Sequence, residues 1–238
     1  VTNTGGDQTW RVTGSGSVLS LPNLTTSNNG TSYDWDVYLQ ALQGGKLDLG
    51  AVTEIIEPVT SDTRRQSVQV KAEGVNSEVK LSALQNFIDR SGYEIGNGDG
   101  EYSQLYATEG GNISLGSLST AQGVYFPIDG TGTIDTSTIK NLTHSLVEAG
   151  VVVNLSQLTS AYSTDFVANA SIDLRKLTAA ESATFTINGV DLDLTTLTNV
   201  NGANFYVSGA VSIELPGVTS VTNTGGDQTW RVTGSGSV

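Results

Sequence analysis

Along the chain, one arrangement of apolar and polar positions recurs: an apolar, polar, apolar triplet, followed three residues later by another apolar residue. It occurs nine times, at Leu19, Leu21 and Leu24; Leu47, Leu49 and Val52; Val79, Leu81 and Leu84; Ile113, Leu115 and Leu118; Ile134, Thr136 and Ile139; Val153, Leu155 and Leu158; Ile172, Leu174 and Leu177; Leu192, Leu194 and Leu197; and Ile213, Leu215 and Val218. Only the fifth is imperfect, with Thr136 in an apolar slot. Alternation with period two predicts a short β-strand with one buried face. Upstream of most triplets lies a second alternating pair, such as Trp10 and Val12, Val37 and Leu39, Val68 and Val70, Phe185 and Ile187, or Phe205 and Val207. Each unit is therefore expected to hold two strands. Between them sits a turn with Gly14, Gly44, Gly74, Gly110, Gly130, Gly150, Gly189 or Gly209, and with Asn169 in the seventh unit. Gly and Asn tolerate positive φ, so one corner of every unit is expected to make that backbone demand.

A longer repeat encloses the short one. Val1 to Val18 reads VTNTGGDQTWRVTGSGSV, and Val221 to Val238 reads the same eighteen letters, an offset of 220. The central triplet residues are 19 to 34 apart, and they close on 220 when the 26 residues from Leu215 to the implied next copy of Leu21 are included. The short period thus passes through the long repeat unbroken. Residues 1–220 are expected to form one unit, with long-loop rungs over about 10–112 and compact rungs over about 113–220, and 221–238 to begin the next identical unit. Starting at Val1 with no methionine, the chain is expected to be an excerpt of something longer.

Short strands at this spacing with no helical period between them cannot build βαβ units. They predict an all-β parallel β-solenoid (β-helix) of about nine rungs per 220-residue tandem repeat, with inward residues stacked as ladders. An antiparallel sandwich or a string of Ig-like domains is the competing architecture. Sandwiches do not repeat one motif nine times.

Composition narrows the chemistry. Only 15% of the residues are charged, against about 25% in an average domain, yet 11 basic and 24 acidic residues leave a net charge of −13. That balance, with no basic cluster, argues against nucleic acid. No run approaches about 18 apolar residues, so no helical membrane span is expected. The absence of cysteine excludes disulfides, thiolate zinc sites and cysteine nucleophiles together. His144 is the single histidine, too few for a histidine-built metal centre, and is expected at a surface corner.

The first three rungs carry roughly ten extra residues each, in TTSNNGTSYD from Thr25, EIIEPVTSDTRRQ from Glu54 and NFIDRSGYEIGNGDGEYSQ from Asn86. All three follow the triplet and should leave from one corner, the usual place for function in repeat proteins. Tyr33, Trp35, Tyr93 and Tyr102, with Arg64, Arg65, Asp62, Asp89, Arg90 and Glu101, would gather there. Aromatic rings beside charged groups suit a sugar, so a glycan-binding face of Tyr33, Trp35, Tyr93, Tyr102, Arg64 and Arg65 is one expectation. A solvated corner is the plainer one. Asn97, Asp99 and Glu101 alternate like the start of a calcium loop, although the glycine falls out of register and Thr108 stands where the closing Glu belongs. A glycine-rich surface turn is the plainer reading, so no cofactor is expected, with calcium the one the pattern leaves open. Six sequons begin at Asn23, Asn29, Asn112, Asn141, Asn154 and Asn169; in a solenoid such Asn residues more often form stacked amide ladders.

For catalysis, the nearest constellation is Asp191 and Asp193 with Asp173 and Glu214 at the equivalent position of neighbouring rungs. Carboxylates stacked roughly 5 Å apart would raise one another's pKa, as a polysaccharide lyase or hydrolase could use. No basic partner is evident beyond Arg175 and Lys176, and a catalytic site repeated every 220 residues would be unusual, so no enzymatic activity is expected.

The phrases GSGSVLSLPNLTT (Gly14 to Thr26), LQALQGGKLDLGAVTEI (Leu39 to Ile55) and INGVDLDLTTLTNVNG (Ile187 to Gly202) resemble the repeats of giant bacterial β-strand-repeat surface proteins, the haemagglutinin-like or adhesin-like exoproteins. The resemblance implies an exported, extracellular or outer-surface, fibrous protein. The 220-residue offset makes adjacent identical repeats, head to tail, the expected partners, and the aromatic face adds surface glycans. The three long rungs depart from the regular repeat, and what they bind is not implied.

Overall fold

The computed structural model describes residues 1–31, 33–57, 65–90, 101–223 and 226–235. Among them every regular element is a strand, and every pairing is parallel, in a solenoid-like β architecture. None of these residues belongs to a helix long and apolar enough to cross a membrane.

The strands fall into three parallel series, or sides, rather than the two expected. The first side is a ten-stranded sheet running from Gln8–Thr13 through Val37–Leu42, Val68–Glu73, Ser103–Thr108, Val124–Ile128, Leu146–Ala149, Asp165–Ala168, Thr184–Asn188 and Asn204–Ser208 to Trp230–Thr233. The second holds the triplets, in a five-stranded sheet that includes Lys46–Asp48 and Asn112–Ser114 and in the Val153–Asn154 and Ile172–Asp173 pair. The third is a six-stranded sheet from Thr26–Asn28 to Ser160–Tyr162, continued by single bridges at Ala179 and Asn199. Sequence alternation does not reveal this last side because most of its strands turn just one apolar residue inward: Ile55, Phe87, Ala121, Leu142, Ala161.

The spacing of three that defines the motif is a β-turn. In all nine units the amide of the third apolar residue donates to the carbonyl of the second, as from Val52 to Leu49 (3.0 Å) and from Leu177 to Leu174 (2.8 Å). The outward residue between the first and second apolar positions often caps this turn: the carboxylates of Asp48, Asp135 and Asp193 and the amide oxygen of Asn154 accept from the backbone amide two residues on. Thr136 is buried in its apolar slot because its hydroxyl donates to the carbonyl of Asn154 at 2.7 Å.

The glycine corner takes positive φ at seven of the nine expected positions but not at Gly150 or Asn169. There the chain instead bonds straight down, Gly150 N to Ile128 O (2.8 Å) and Asn169 N to Ala149 O (3.0 Å). The remaining corner, between the third side and the next first side, is turned in the compact region by one left-handed residue: Gly123, His144, Ser163, Ser182 or Gly202.

The interior is a set of ladders. Trp10 pairs with Leu39, Leu39 with Val70 and Val70 with Leu105; further along, Phe126, Val147, Phe166, Phe185, Phe205 and Trp230 follow in register. Phe166, Phe185 and Phe205 stack face to face with centroids 5.0 and 4.9 Å apart. Opposite charges lie side by side outside, Lys46 with Glu78 (3.5 Å) and Lys80 with Asp48 (3.4 Å), reinforcing the register.

Candidate functional site

The long turns share one corner, but it lies after the third side and not directly after the triplet, where the sequence suggested it. Thr26–Asn28, Glu54–Glu57 and Asn86–Asp89 are strands of the third side, and the excursions start only after them. An excursion at this corner leaves backbone amides without their regular partners, and buried polar side chains take over. Asp36 accepts from the amide and hydroxyl of Ser67 (both 2.8 Å), Asp89 from the amide of Ser103 (2.8 Å), and the Ser103 hydroxyl from the amide of Val68 (2.9 Å). Asn29, buried and so closed to glycosylation in the folded chain, donates to Glu57 and to the Trp35 carbonyl (both 2.8 Å) and accepts from Asn3 (3.1 Å). Asn3, Asn29, Glu57 and Asp89, all buried, thus line the root of the excursions.

Of the aromatic face expected here, Tyr33 is exposed, while Trp35 and Tyr102 are half-buried. Arg64, Tyr93 and Asp62 lie outside the described residues, as do Asn97 and Asp99 of the calcium pattern. Glu101 is described, and its carboxyl is pushed up by burial first and then by Asp36 and Asp34, with Arg65 pulling the other way. Glu101, Arg65, Asp34 and Asp36 therefore share one neighbourhood. Burial raises the Tyr102 phenol as well. Among the described residues no three acidic or histidine side chains converge as a metal site.

On the triplet side the expected raising of stacked carboxylates is outweighed: Asp173 pushes Asp193 up, but hydrogen bonds pull harder the other way. Asp173 is held below the usual carboxylate range, chiefly by its hydrogen bonds from Arg175, and Asp193 by the Thr195 hydroxyl and amide. Both serve their own turns, so neither has the raised affinity for a proton that a general acid needs. His144 sits at the left-handed corner with φ of 46°, edge-on to Tyr162, its pKa lowered by burial.

Sequence reasoning missed the outer face of the ten-stranded sheet. Two outward rows run across it: Tyr38, Gln69, Gln104 and Tyr125; and Gln40, Lys71 and Tyr106, with Pro127 and Glu148 further on. Between and beside them are two hollows. One, of about 310 Å³, is bounded by Tyr38, Gln69 and Glu101; the other, of about 380 Å³, by Tyr125, Asp129 and Glu148; both reach Gln104 and Tyr106. The Tyr38 phenol donates to Asp36 (3.0 Å) and the Tyr125 phenol to Glu148. Burial and these carboxylates push both phenols up to about 12. The signal was present in the sequence as polar and aromatic residues in the outward slots of strands otherwise recognised only by their inward ones.

No family model matches the chain, and neither the curated proteins nor the solved structures contain a match to it.

Proposed function

We propose that the chain is a structural and adhesive segment of a long extracellular bacterial fibre, made of tandem 220-residue β-solenoid repeats of nine rungs each. The observation that carries this reading is the behaviour of the duplicated segment. In its leading copy Trp10 pairs with Leu39 above; in its trailing copy Trp230 pairs with Phe205 below. One segment thus has a fitted surface on each side, and repeats joined through it would continue the ten-stranded sheet without a break.

Burial agrees. Apart from Ile134, the triplets in the middle of the chain are buried almost completely, whereas Leu21, Leu24, Ile213, Leu215 and Val218 are only partly covered and Leu19 is exposed. Stacking the first rung of one repeat on the last rung of another would cover both sets. Each rung would protect the edges of the next, leaving unpaired strands only at the fibre ends. The role is mechanical, not catalytic, and acidic charge would keep neighbouring fibres apart. The extracellular setting rests on the likeness of Gly14 to Thr26, Leu39 to Ile55 and Ile187 to Gly202 to giant surface-protein repeats.

Electron microscopy of the parent protein tests the proposal. A thin continuous fibre supports it; globular beads joined by linkers would refute it.

A further inference from the structure

The two hollows on the outer face of the ten-stranded sheet meet at Gln104 and Tyr106, so they form one groove running across the strands from Tyr38 to Glu148. That distance is four strand spacings, about 19 Å at roughly 4.8 Å each. Each hollow, at about 310 and 380 Å³, is of the size that small ligands occupy. We propose that this groove binds a neutral oligosaccharide, with Tyr38, Tyr106 and Tyr125 as ring contacts and Gln104 as the central hydrogen-bonding group.

The chemistry selects that ligand class. The phenols at the two ends are pinned by carboxylates, Tyr38 by Asp36 and Tyr125 by Glu148, which fixes the rings before anything binds. At the centre the Gln104 amide and the Tyr106 hydroxyl have no hydrogen-bond partner among the described residues, leaving a donor and acceptor pair for hydroxyl groups. Lys71, 5.8 Å from the Tyr106 centroid, is also engaged with Glu73. Glu101, Asp129 and Glu148 line the groove within a chain of net charge −13, so polyanions are repelled. A peptide would gain little, because every strand of the floor is already paired on both sides and offers no open backbone edge. Sugar rings instead present apolar faces for tyrosine and hydroxyls for amides and carboxylates.

The site lies on a single chain and does not depend on fibre formation, so its failure would leave the fibre proposal standing. Isothermal titration calorimetry of the 238-residue chain against cellopentaose, maltopentaose, chitopentaose, xylopentaose and mannopentaose tests it. At least one should bind, and Gln104→Ala or Tyr106→Ala should weaken that binding by about ten-fold or more, the loss of one or two contacts to bound ligand. Tyr206→Ala, on the same sheet face but outside the groove, should leave it unchanged. Should an alanine variant fail to fold, Gln104→Glu and Tyr106→Phe keep the shape, and weaker binding by either supports the site. No binding by any of the five at millimolar concentration, or binding indifferent to all four groove changes, overturns it.

Discussion

Trp230 packs edge-on against Phe205, with ring centroids 5.5 Å apart and planes at 80°. Its indole nitrogen donates to the carbonyl of Ala203 at 3.0 Å, and the strand it begins pairs in register with Asn204–Ser208. Trp10, the same residue of the leading copy, faces Leu39 instead. Phe205 and Trp230 thus belong to the contact between the trailing copy of the duplicated segment and the residues before it, with Gln228 donating to the Ala203 carbonyl and Thr229 N to Asn204 beside them.

Trp230→Ala should weaken that contact locally. The loss of the aromatic pair is worth about 1 kcal/mol, and the effect should stay near the end of the ladder, as in other one-dimensional arrays. Hydrogen exchange should show faster amides in Asn204–Ser208 and unchanged protection in Val37–Leu42. Equal loss in both strands would argue against nearest-neighbour stacking.

Phe185 is fully buried between Phe166 and Phe205. Phe185→Ala should cost about 3–5 kcal/mol in urea denaturation, from lost transfer energy and the cavity left behind. Phe185→Leu, closer in volume, should cost about 1.5 kcal/mol or less.

Two glycines separate contact from conformation. A Cβ on Gly111 would stand 2.2 Å from the carbonyl oxygen of Ala72 in the turn below, and its φ is not positive, so the obstacle is purely steric. Gly111→Ala should destabilise by about 1–3 kcal/mol, as overpacking does. At Gly116 the nearest atom to a Cβ is Ser82 O at 3.4 Å. Gly116→Ala should be neutral or stabilising by up to about 1 kcal/mol through the unfolded state. Thermal melts of the two variants check the contrast.

Tyr38 and Tyr125 should titrate near pH 12 in the folded chain, raised from 10 by burial first and by Asp36 and Glu148 next. Because the folded pKa lies above the unfolded one, the stability these phenols contribute is whole below pH 10 and is lost as pH rises from 10 to about 12. Ultraviolet titration at alkaline pH should resolve this late group. Glu148→Gln should bring Tyr125 down towards 10 and leave Tyr38 where it is.

The triplet side was legible because Leu, Val and Ile alternate there and the β-turn fixes the spacing of three. The third side was hidden: Ala121 and Ala161 fill its inward slots, and an alanine between polar neighbours carries no period. The corner after it was hidden too, since His144, Ser163 and Ser182 adopt the left-handed conformation that glycine usually announces. The loops were read as leaving directly after the triplet because the third-side strands Thr26–Asn28, Glu54–Glu57 and Asn86–Asp89 went unrecognised, and the buried network of Asn29, Asp36 and Asp89 could not be read, because in sequence a buried Asp looks the same as a solvated one. The groove escaped for a related reason. Its tyrosines and glutamines come from strands 21 to 35 residues apart and become neighbours only through parallel register.

Small-angle X-ray scattering of chains carrying one, two and three of the 220-residue units tests the central claim most directly. Continuous stacking predicts rods of constant cross-section that lengthen by about 43 Å per unit, nine steps of roughly 4.8 Å. A cross-section that broadens with each unit, or curves requiring separate bodies joined by flexible linkers, would contradict it.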